Sequence, residues 1–552
     1  MLKKLLSVGG WTLVSRITGF FRDIVIAALM GTGLVADAFV VALRLPNHFR
    51  AIFGEGAFNS AFIPTYARVH ETSGPDPARL FADRVFSLML VVQIVLLVIA
   101  WAAMPWVVRL LAPGFVDEPA KFELAVALTR ITFPYLLFVT LVTILSGILN
   151  AHERFAAAAA APVLLNLSII GGLALAALFP TAGHAAAWGV AAAGVFEFLL
   201  LWLAVRRAGV APRLERPRLD GDMRAFFRTL GPAVVGSAGI QIAMFADTII
   251  ASLLPTGAVS SLYYADRLYQ LPVGVIGIAA GTVLLPEMSR RIAAGDVAGA
   301  HAAQNRALGF TLALAAPFVI AFLTLPELIM AALFGRGAFD AAAAEGAGAV
   351  LAAYAVGLPA VVLIRSAVAS FYARADTTTP VIAALAAVAV NVLLKIVLVT
   401  PLGVVGLALA TAAGAWVNLL LLLVLAYRRD WTAPSGALGR IAAAVTAASL
   451  LLALFAVVAR ASGRHVRDLR RGARGDPARP ARQRRRRRLR PRGAGGHQAP
   501  RPPPRALLTC HPLSFRRQSH LRREMRCNVA ETSATSARNV AALACAHTRI
   551  AG

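Results

Sequence analysis

The stretch from residue 15 to residue 64 combines two membrane-length apolar runs with a set of charged side chains. These charges are Arg16, Arg22, Asp23, Asp37, Arg44, Arg50 and Glu55. An ionised side chain at the centre of a membrane-spanning helix costs about 2.5–3.5 kcal/mol even on the lenient insertion scale. Two further charged residues inside an apolar run, Asp266 and Arg267, follow later in the sequence. Arginines outnumber acids in this set, so positive charge is left over inside the membrane.

Unpaired arginine persists inside a membrane in a water-filled cavity or beside an anionic ligand. The planar guanidinium contacts two phosphate oxygens at once and keeps its charge. We therefore predict a site for an anion, such as a phosphate or a diphosphate. The residues predicted to form it are Arg16, Arg22, Arg44, Arg50 and Arg267. The acids predicted to pair with these arginines or to gate the site are Asp23, Asp37, Glu55 and Asp266.

Helical spacing groups some of these charges. Arg16 and Asp23 are seven residues apart, as are Asp37 and Arg44, which puts each pair on one face of a helix. For the acids, the alternative to a functional role is internal pairing that fixes helix packing.

Two later charges form a separate candidate site. Asp247 and Lys395 are each the one charge inside an apolar run, and Asn391 lies one helical turn before Lys395. One interpretation is a buried ion pair that ties two helices together. Another is a switchable ion or proton site, and a third is that the two side chains never meet.

Signatures of enzymatic chemistry are missing from the sequence. None of the four lysines follows a glycine, which excludes a GxxxxGK phosphate loop. Asp-Gly-Asp at 220–222 resembles a glycosyltransferase metal motif but lies in a basic linker. Residues 1–459 contain no His/Cys cluster with metal-ligand spacing. We predict a transporter rather than an enzyme, with no catalytic residue, no metal and no cofactor.

The elements that position these charges are apolar segments long enough to cross a hydrocarbon layer of ~30 Å. With 58% hydrophobic residues and a mean hydropathy of +0.70, the chain is predicted to be an all-α polytopic membrane protein. The predicted spans are 7–30, 34–62, 85–112, 124–149, 161–180, 186–205, 229–253, 263–288, 307–334, 346–372, 379–400, 403–427 and 437–459.

Lysine and arginine are distributed unequally between alternate loops. One side carries twenty of them, and the other carries Arg109, Lys121 and Arg336. Because positively charged loops remain in the cytoplasm, we predict a multi-pass membrane protein with a cytoplasmic amino terminus; the family resemblance described below implies that the membrane is the bacterial inner membrane.

The chain also repeats itself. PWVVRLLAPGF near residue 105 matches PELIMAALFGRGAF near residue 326 at an offset of 221 residues. This predicts two parallel six-helix repeats around a central cavity, and transporters built in this way bind substrate between the repeats. The predicted units are the repeats 1–222 and 223–435, a thirteenth membrane helix at 436–460 and a tail at 461–552.

The tail differs in composition from the rest of the chain. Residues 460–552 contain 24 arginines, no lysine and four acids, and they supply +20 of the net charge of +28. Lysine-free Arg/Pro/Ala/Gly runs are typical of GC-rich coding DNA read out of frame, so our hypothesis is a frameshift near residue 460. The alternative is a genuine basic tail that binds anionic lipid or nucleic acid. We expect no nucleic-acid partner for the body of the protein.

Several of these stretches resemble the MurJ (MviN) family, within the superfamily of multidrug, oligosaccharidyl-lipid and polysaccharide exporters. They are SRITGFFRD, ADAFVVALRLPN, FGEGAF, LAPGF (111–115), ITFPYLLF (131–138) and YYADRLYQLPVGVIGIAAGTVLLP (263–286). The resemblance covers roughly residues 1–459. It implies a flippase for lipid II, the undecaprenyl-diphosphate-linked disaccharide-pentapeptide of cell-wall synthesis, that works by alternating access.

The resemblance also implies which residues matter. Essential cavity arginines fall on Arg16, Arg22, Arg50 and Arg267, with Asp37 and Glu55 as acidic partners. The family commonly has lysine where this chain has Arg44, and it usually has fourteen helices where this sequence shows thirteen.

Partners implied in this way are lipid II, membrane lipids and enzymes of cell-wall synthesis. The driving force is expected to be the membrane potential or a coupled ion, and export of an anion along a negative-inside potential gains about 2.3 kcal/mol per charge per 100 mV. Two alternatives stay open: export of a drug or of another polysaccharide-lipid, and a non-transporting scaffold for cell-wall enzymes.

Overall fold

The computed structural model describes residues 2–52 and 58–473. Every regular element in this part of the chain is a helix, which confirms the predicted all-α class. The α-helices are α1 (Leu2–Met30), α2 (Leu34–Ile52), α3 (Phe58–Ser73), α4 (Pro75–Ala102), α5 (Met104–Leu111), α6 (Pro119–Thr132), α7 (Tyr135–Ala151), α8 (Ala156–Ala174), α9 (Ala182–Arg207), α10 (Gly221–Ser252), α11 (Ala258–Pro272), α12 (Ile278–Ala293), α13 (Val297–Thr324), α14 (Pro326–Phe334), α15 (Ala341–Tyr372), α16 (Thr378–Arg428) and α17 (Gly436–Ala473). Short 3₁₀ turns occupy Pro113–Asp117 and Ala176–Leu178, and a π-helical turn at Val273–Gly277 joins α11 to α12.

Within the described residues, eight helical segments are long and apolar enough to cross a membrane. Four predicted spans do not belong to these eight segments, and each contains one or two helices. They are 7–30 with α1, 34–62 with α2 and α3, 229–253 with α10, and 263–288 with α11 and α12. The division into repeats at residue 222 stays a prediction, and α10 begins one residue before it. The tail from 474 onward lies outside the described residues, so the frameshift hypothesis stays untested.

Helix α16 covers two predicted spans because it is a hairpin of two helices. Gly403, at φ 54°, lies in the left-handed region at the bend, where a residue with a Cβ would be strained. Beyond the bend, Gly406 packs against the carbonyl of Leu398, and Asn391 Nδ2 donates to the carbonyl of Ala410 at 3.4 Å. The two arms are therefore antiparallel, as the predicted break between 400 and 403 requires.

The first and second halves of the sequence meet where α1 ends and α2 begins. The Ala338 amide donates to the Ala28 carbonyl at 2.8 Å, and the Tyr264 hydroxyl donates to the Gly31 carbonyl at 3.0 Å. A methyl group on Gly31 or Gly337 would collide with backbone of the opposite half. We call this region the closed end. It comprises residues 28–34, 112–118, 252–260 and 335–340.

An aromatic core lies beneath the closed end. The Tyr264 ring lies 5.6 Å from the Phe334 ring and 5.4 Å from the Phe339 ring, and all three side chains are buried. Such aromatic pairs contribute about 0.5–1.5 kcal/mol beyond their buried area. This packing holds α11 and α14 against the end of α1.

Candidate functional site

A cavity of about 880 Å³ lies between the two halves of the sequence, at the end of the bundle where α1 begins. The first half contributes α1, Arg50 and the start of α8, and the second half contributes residues 267–274 and Arg365. Among the described residues of its lining, the arginines are Arg16, Arg22, Arg50, Arg267 and Arg365, and the acid is Asp23. The cavity is therefore strongly basic, in a bundle whose outer surface is apolar.

Asp23 is the centre of a charged cluster on one wall of the cavity. Its Oδ1 contacts Arg22 Nη2 at 2.7 Å and accepts a hydrogen bond from the Tyr263 hydroxyl at 2.8 Å. Its Oδ2 lies 3.9 Å from Arg267 Nε, and the Arg267 guanidinium lies 4.9 Å from the centre of the Tyr263 ring. One carboxylate thus serves two guanidinium groups, which leaves positive charge at the cavity surface.

Asn166 of α8 fixes the position of Arg22. Its Oδ1 accepts from Arg22 Nη1 at 2.9 Å, while its Nδ2 donates to the Ser15 carbonyl at 2.9 Å and to Thr18 Oγ1 at 3.1 Å. The amide thereby joins α8 to α1 and orients the guanidinium between them. Gly19 leaves room for this contact, because a methyl group there would lie 3.3 Å from Asn166 Nδ2.

The π-helical turn brings backbone close to two more arginines. A methyl group on Gly274 would collide with the Arg16 guanidinium, and one on Gly277 would lie 3.4 Å from the Arg365 side chain. Turns of this type are rare inside helices and frequent at functional sites. Arg365 was missed by the sequence analysis. Its signal was available, since it is the single charge within the predicted span 346–372.

A smaller chamber of about 380 Å³ adjoins the main cavity and shares Arg16, Arg22 and Arg50 with it. Its lining also includes Glu197 of α9, which is 3% exposed and whose Oε2 accepts from the Tyr135 hydroxyl at 3.4 Å. Sequence analysis missed Glu197 as well, although it is the one charge within the predicted span 186–205.

Asp37 lies at the closed end rather than in the cavity. Its carboxylate accepts from the amides of Gly257 and Ser260, both at 2.8 Å, and from the Ser260 hydroxyl at 2.7 Å. Asp37 on α2 therefore caps the amino terminus of α11 from outside that helix. Its Oδ2 also lies 3.2 Å from Lys121 Nζ, and both side chains are about 1% exposed.

The environment of Lys121 corrects the count of positive charges in the loops. The sequence analysis treats it as a loop charge, whereas the structure buries it in α6. Its ammonium lies 4.3 Å from the centre of the Phe115 ring, donates to Thr256 at 3.0 Å and lies 3.6 Å from Glu118. A charge that belongs to a buried network carries little information on topology.

Two further predicted site residues lie outside the cavity lining. Arg44 Nη1 donates to Thr248 of α10 at 2.8 Å, and Asp266 Oδ2 accepts from Gln270 at 2.6 Å. The seven-residue relation between Asp37 and Arg44 holds, since both face second-half helices. Their roles in binding or gating stay a prediction.

The remaining predicted pair makes direct contact. Lys395 Nζ lies 2.7 Å from Asp247 Oδ1, and the lysine side chain is 1% exposed. The contact joins α10 to the first arm of α16, as the ion-pair interpretation requires, while the ion-site interpretation stays untested. Glu55 lies outside the described residues. Elsewhere in the described part of the chain, no group of three or more His, Cys, Asp or Glu side chains is placed to hold a metal ion.

Comparison with known proteins gives a consistent result. Residues 26–465 match the family model described as "Lipid II flippase MurJ". The chain is 44% identical over 459 residues to "Probable lipid II flippase MurJ" of Rhizobium meliloti (strain 1021), which covers 82% of this chain and 86% of the relative. It is 35% identical over 459 residues to "Lipid II flippase MurJ" of Burkholderia cenocepacia, covering 82% of this chain and 89% of that protein.

Solved structures share the fold. "Lipid II flippase MurJ, inward closed conformation" superposes with a TM-score of 0.70 at 24% identity, covering 84% of this chain and 99% of that one. The inward-facing conformation of a multidrug resistance MATE family transporter of the MOP superfamily gives a TM-score of 0.61 at 17% identity, with 77% and 96% coverage.

Proposed function

The chain belongs to the MurJ family of lipid II flippases, and from this premise we propose that it moves lipid II from the inner to the outer leaflet of the bacterial inner membrane. It is a multi-pass membrane transport protein. Lipid II is a polyprenyl diphosphate that carries a disaccharide and a pentapeptide, so its head group is anionic and bulky.

The observation that carries this proposal is the basic cavity inside an apolar helix bundle. Among its described lining residues are five arginines and one acid, Asp23, which is already shared by Arg22 and Arg267. Guanidinium groups bind phosphate oxygens in two-point contacts and cannot lose their charge. A diphosphate bridging Arg16, Arg267 and Arg365 supplies the negative charge that the cavity lacks.

The fold gives this site one open and one closed side. Transport by alternating access requires the halves to separate at the closed end and to approach each other at the cavity mouth. The Asp37 cap on α11 and the Ala28–Ala338 hydrogen bond are the contacts that have to break. We infer that the cavity mouth faces the cytoplasm, because the loop charges predict a cytoplasmic amino terminus and α1 begins at this end of the bundle.

We propose the membrane potential as the driving force. A negative interior favours outward movement of an anionic head group by about 2.3 kcal/mol per charge per 100 mV. Lys395 places its own ammonium beside Asp247, where a coupled cation would otherwise bind, which argues against cation coupling at that position. Enzymes of cell-wall synthesis are proposed partners on either side of the flipping step.

Two other functions make different demands on the site. A cavity for cationic drugs requires a surplus of acids, whereas this one has a surplus of arginines. A scaffold without transport requires no charged cavity at all, so replacing a cavity arginine would leave it intact.

The test is complementation in cells whose own lipid II flippase can be switched off. We expect the chain to restore lipid II exposure on the outer leaflet. Arg267→Ala should reduce that exposure at least about tenfold, because a hydrogen bond to a charged group is worth about 1.5–3 kcal/mol.

Arg306→Ala is the matched control, since Arg306 is exposed and pairs with Glu287 outside the cavity. Full activity of Arg267→Ala would support the scaffold. Failure of the full chain, in cells that a close relative rescues, would contradict the proposal. A version ending at residue 460 then reports whether the tail affects activity.

A further inference from the structure

The chamber beside the main cavity differs from it in chemistry. It is lined by neutral hydrogen-bonding groups of α7, including Tyr135, Thr143 and Ser146, together with the carboxylate of Glu197. The second half of the sequence contributes nothing to its described lining, whereas it supplies Arg267 and Arg365 to the main cavity. The two spaces share Arg16, Arg22 and Arg50, and the chamber adds a wall of neutral polar groups with one acid where the main cavity adds Arg267 and Arg365.

Glu197 is placed in that chamber by a well-defined helix. Thr181 caps the amino terminus of α9 by accepting from the His184 amide at 3.3 Å, and α9 packs against α7 and α8. The cap fixes where α9 begins, and the apolar packing fixes its rotation, so the Glu197 side chain points inward and is 3% exposed. Burying a carboxylate in a membrane bundle is expensive and marks a functional position.

Three buried acids differ in how many hydrogen bonds and ion pairs their carboxylates make. Asp37 has three short hydrogen bonds and an ion pair, and Asp23 has contacts with two arginines and a tyrosine. Glu197 has one hydrogen bond, from Tyr135 at the long distance of 3.4 Å, and a charge interaction with Arg50. A carboxylate has about four lone-pair positions, so Glu197 retains capacity to accept from a ligand.

Hydrogen-bonding capacity decides which ligand group fits. Ionised phosphate oxygens only accept hydrogen bonds, and the unused capacity of Glu197 is for accepting them, so the part of the substrate beside Glu197 has to be a donor of hydrogen bonds. Sugar hydroxyl groups and acetamido N–H groups are such donors. In a sugar-linked diphosphate the sugar is bonded directly to the phosphate, so it has to lie next to the arginine-rich region, as this chamber does.

We propose that this chamber is the sugar subsite of the flippase and that Glu197 is its specificity-determining residue. Glu197 accepts hydrogen bonds from the sugar, while Arg16 and Arg50, shared between the two spaces, stay with the phosphate groups. This assignment rests on the proposed function. It predicts that the protein distinguishes a glycosylated polyprenyl diphosphate from a bare one.

The test is binding of two probes to the purified full chain in lipid nanodiscs. The probes are lipid II and undecaprenyl diphosphate, which has the same anion and lipid but no sugar. We expect Glu197→Ala to weaken lipid II binding at least about tenfold and to change undecaprenyl diphosphate binding little, because the sugar contacts are lost while Arg16, Arg22 and Arg267 still hold the diphosphate. Glu197→Gln keeps an acceptor oxygen, so its affinity for lipid II is expected to lie between those of Glu197→Ala and the unmodified chain.

Arg267→Ala is the comparison variant, and it should weaken both probes to a similar degree. If Glu197→Ala also weakens both probes equally, the carboxylate is a counterion for Arg50 and the subsite is wrong. Unchanged binding of both probes would overturn it as well. If the unmodified chain binds neither probe, the proposed function fails instead. Thermal unfolding of each variant verifies that it is folded.

Discussion

At the scale of single residues, Gly274 controls the position of Arg16. A methyl group at this position would collide with the end of a flexible guanidinium rather than with backbone, so it costs little stability and displaces the charge. We expect Gly274→Ala to fold normally and to lose most lipid II exposure in the complementation assay.

Gly171→Ala is the matched control for Gly274→Ala. Gly171 lies in α8 with nothing within 4 Å of an added methyl group, so its replacement should keep full activity. Equal activity of the two variants would show that the position of Arg16 does not matter for transport.

Residue types indicated much of the cavity but not all of it. Arg16, Arg22, Arg50 and Arg267 were predicted and line the cavity, whereas Arg44 lies elsewhere. Arg50 follows Arg44 by six positions, so their side chains point about 120° apart around the axis of α2. Arg365 and Glu197 were missed although each is the one charge in its predicted span, and only packing shows that they lie beside the cluster.

At the scale of elements, Asp37 of α2 both caps α11 and forms a buried ion pair with Lys121. We expect Asp37→Ala to lower the free energy of unfolding by about 3 kcal/mol, because it leaves Lys121 buried without its main carboxylate. The loss is at the low end for a broken buried pair, since Glu118 stays 3.6 Å from the ammonium. Thermal unfolding in detergent measures it.

The double variant Asp37→Asn with Lys121→Met serves as the reference, because it removes both charges together. It should recover most of the stability lost by Asp37→Ala. Similar unfolding temperatures for Asp37→Ala and the unmodified chain would mean that the contacts of Asp37 with Lys121 and α11 contribute nothing to stability.

The approximate positions of the apolar helices and the bend at Gly403 between two apolar runs followed from composition. Exact boundaries did not, since α4 and α13 each begin and end ten residues before the predicted spans 85–112 and 307–334. The π-helical turn at Val273–Gly277 was not predicted, because a single extra residue per turn leaves no mark on hydropathy. Likewise, a count of loop charges cannot reveal that Lys121 is buried against Asp37.

At the scale of the whole molecule, the closed end has to open once in every transport cycle. Residues 1–459 contain no cysteine, so after Cys510, Cys527 and Cys545 are replaced by serine, a pair of new cysteines reports on this motion. We expect Ala28→Cys with Ala338→Cys to lose transport on oxidation and to regain it on reduction, because their backbones lie within hydrogen-bonding distance.

A pair within the first half provides the control for cross-linking. The Glu215 amide donates to Ser87 Oγ at 2.8 Å, so Ser87→Cys with Glu215→Cys joins two points that need not separate. Transport should survive oxidation of this pair. Undiminished transport by the oxidised Ala28–Ala338 pair would contradict alternating access through the closed end.

The glycines of the closed end set the balance between two populations. A methyl group on Gly31, Gly114 or Gly337 meets opposing backbone while that end is shut. At Gly31 and Gly337 φ is positive, so a side chain is also strained by its own backbone, whereas Gly114→Ala raises chiefly the free energy of the closed state. A difference of 1.4 kcal/mol changes the ratio of states about tenfold. Single substitutions there therefore act as graded controls on the resting conformation, far from any residue that touches the cargo.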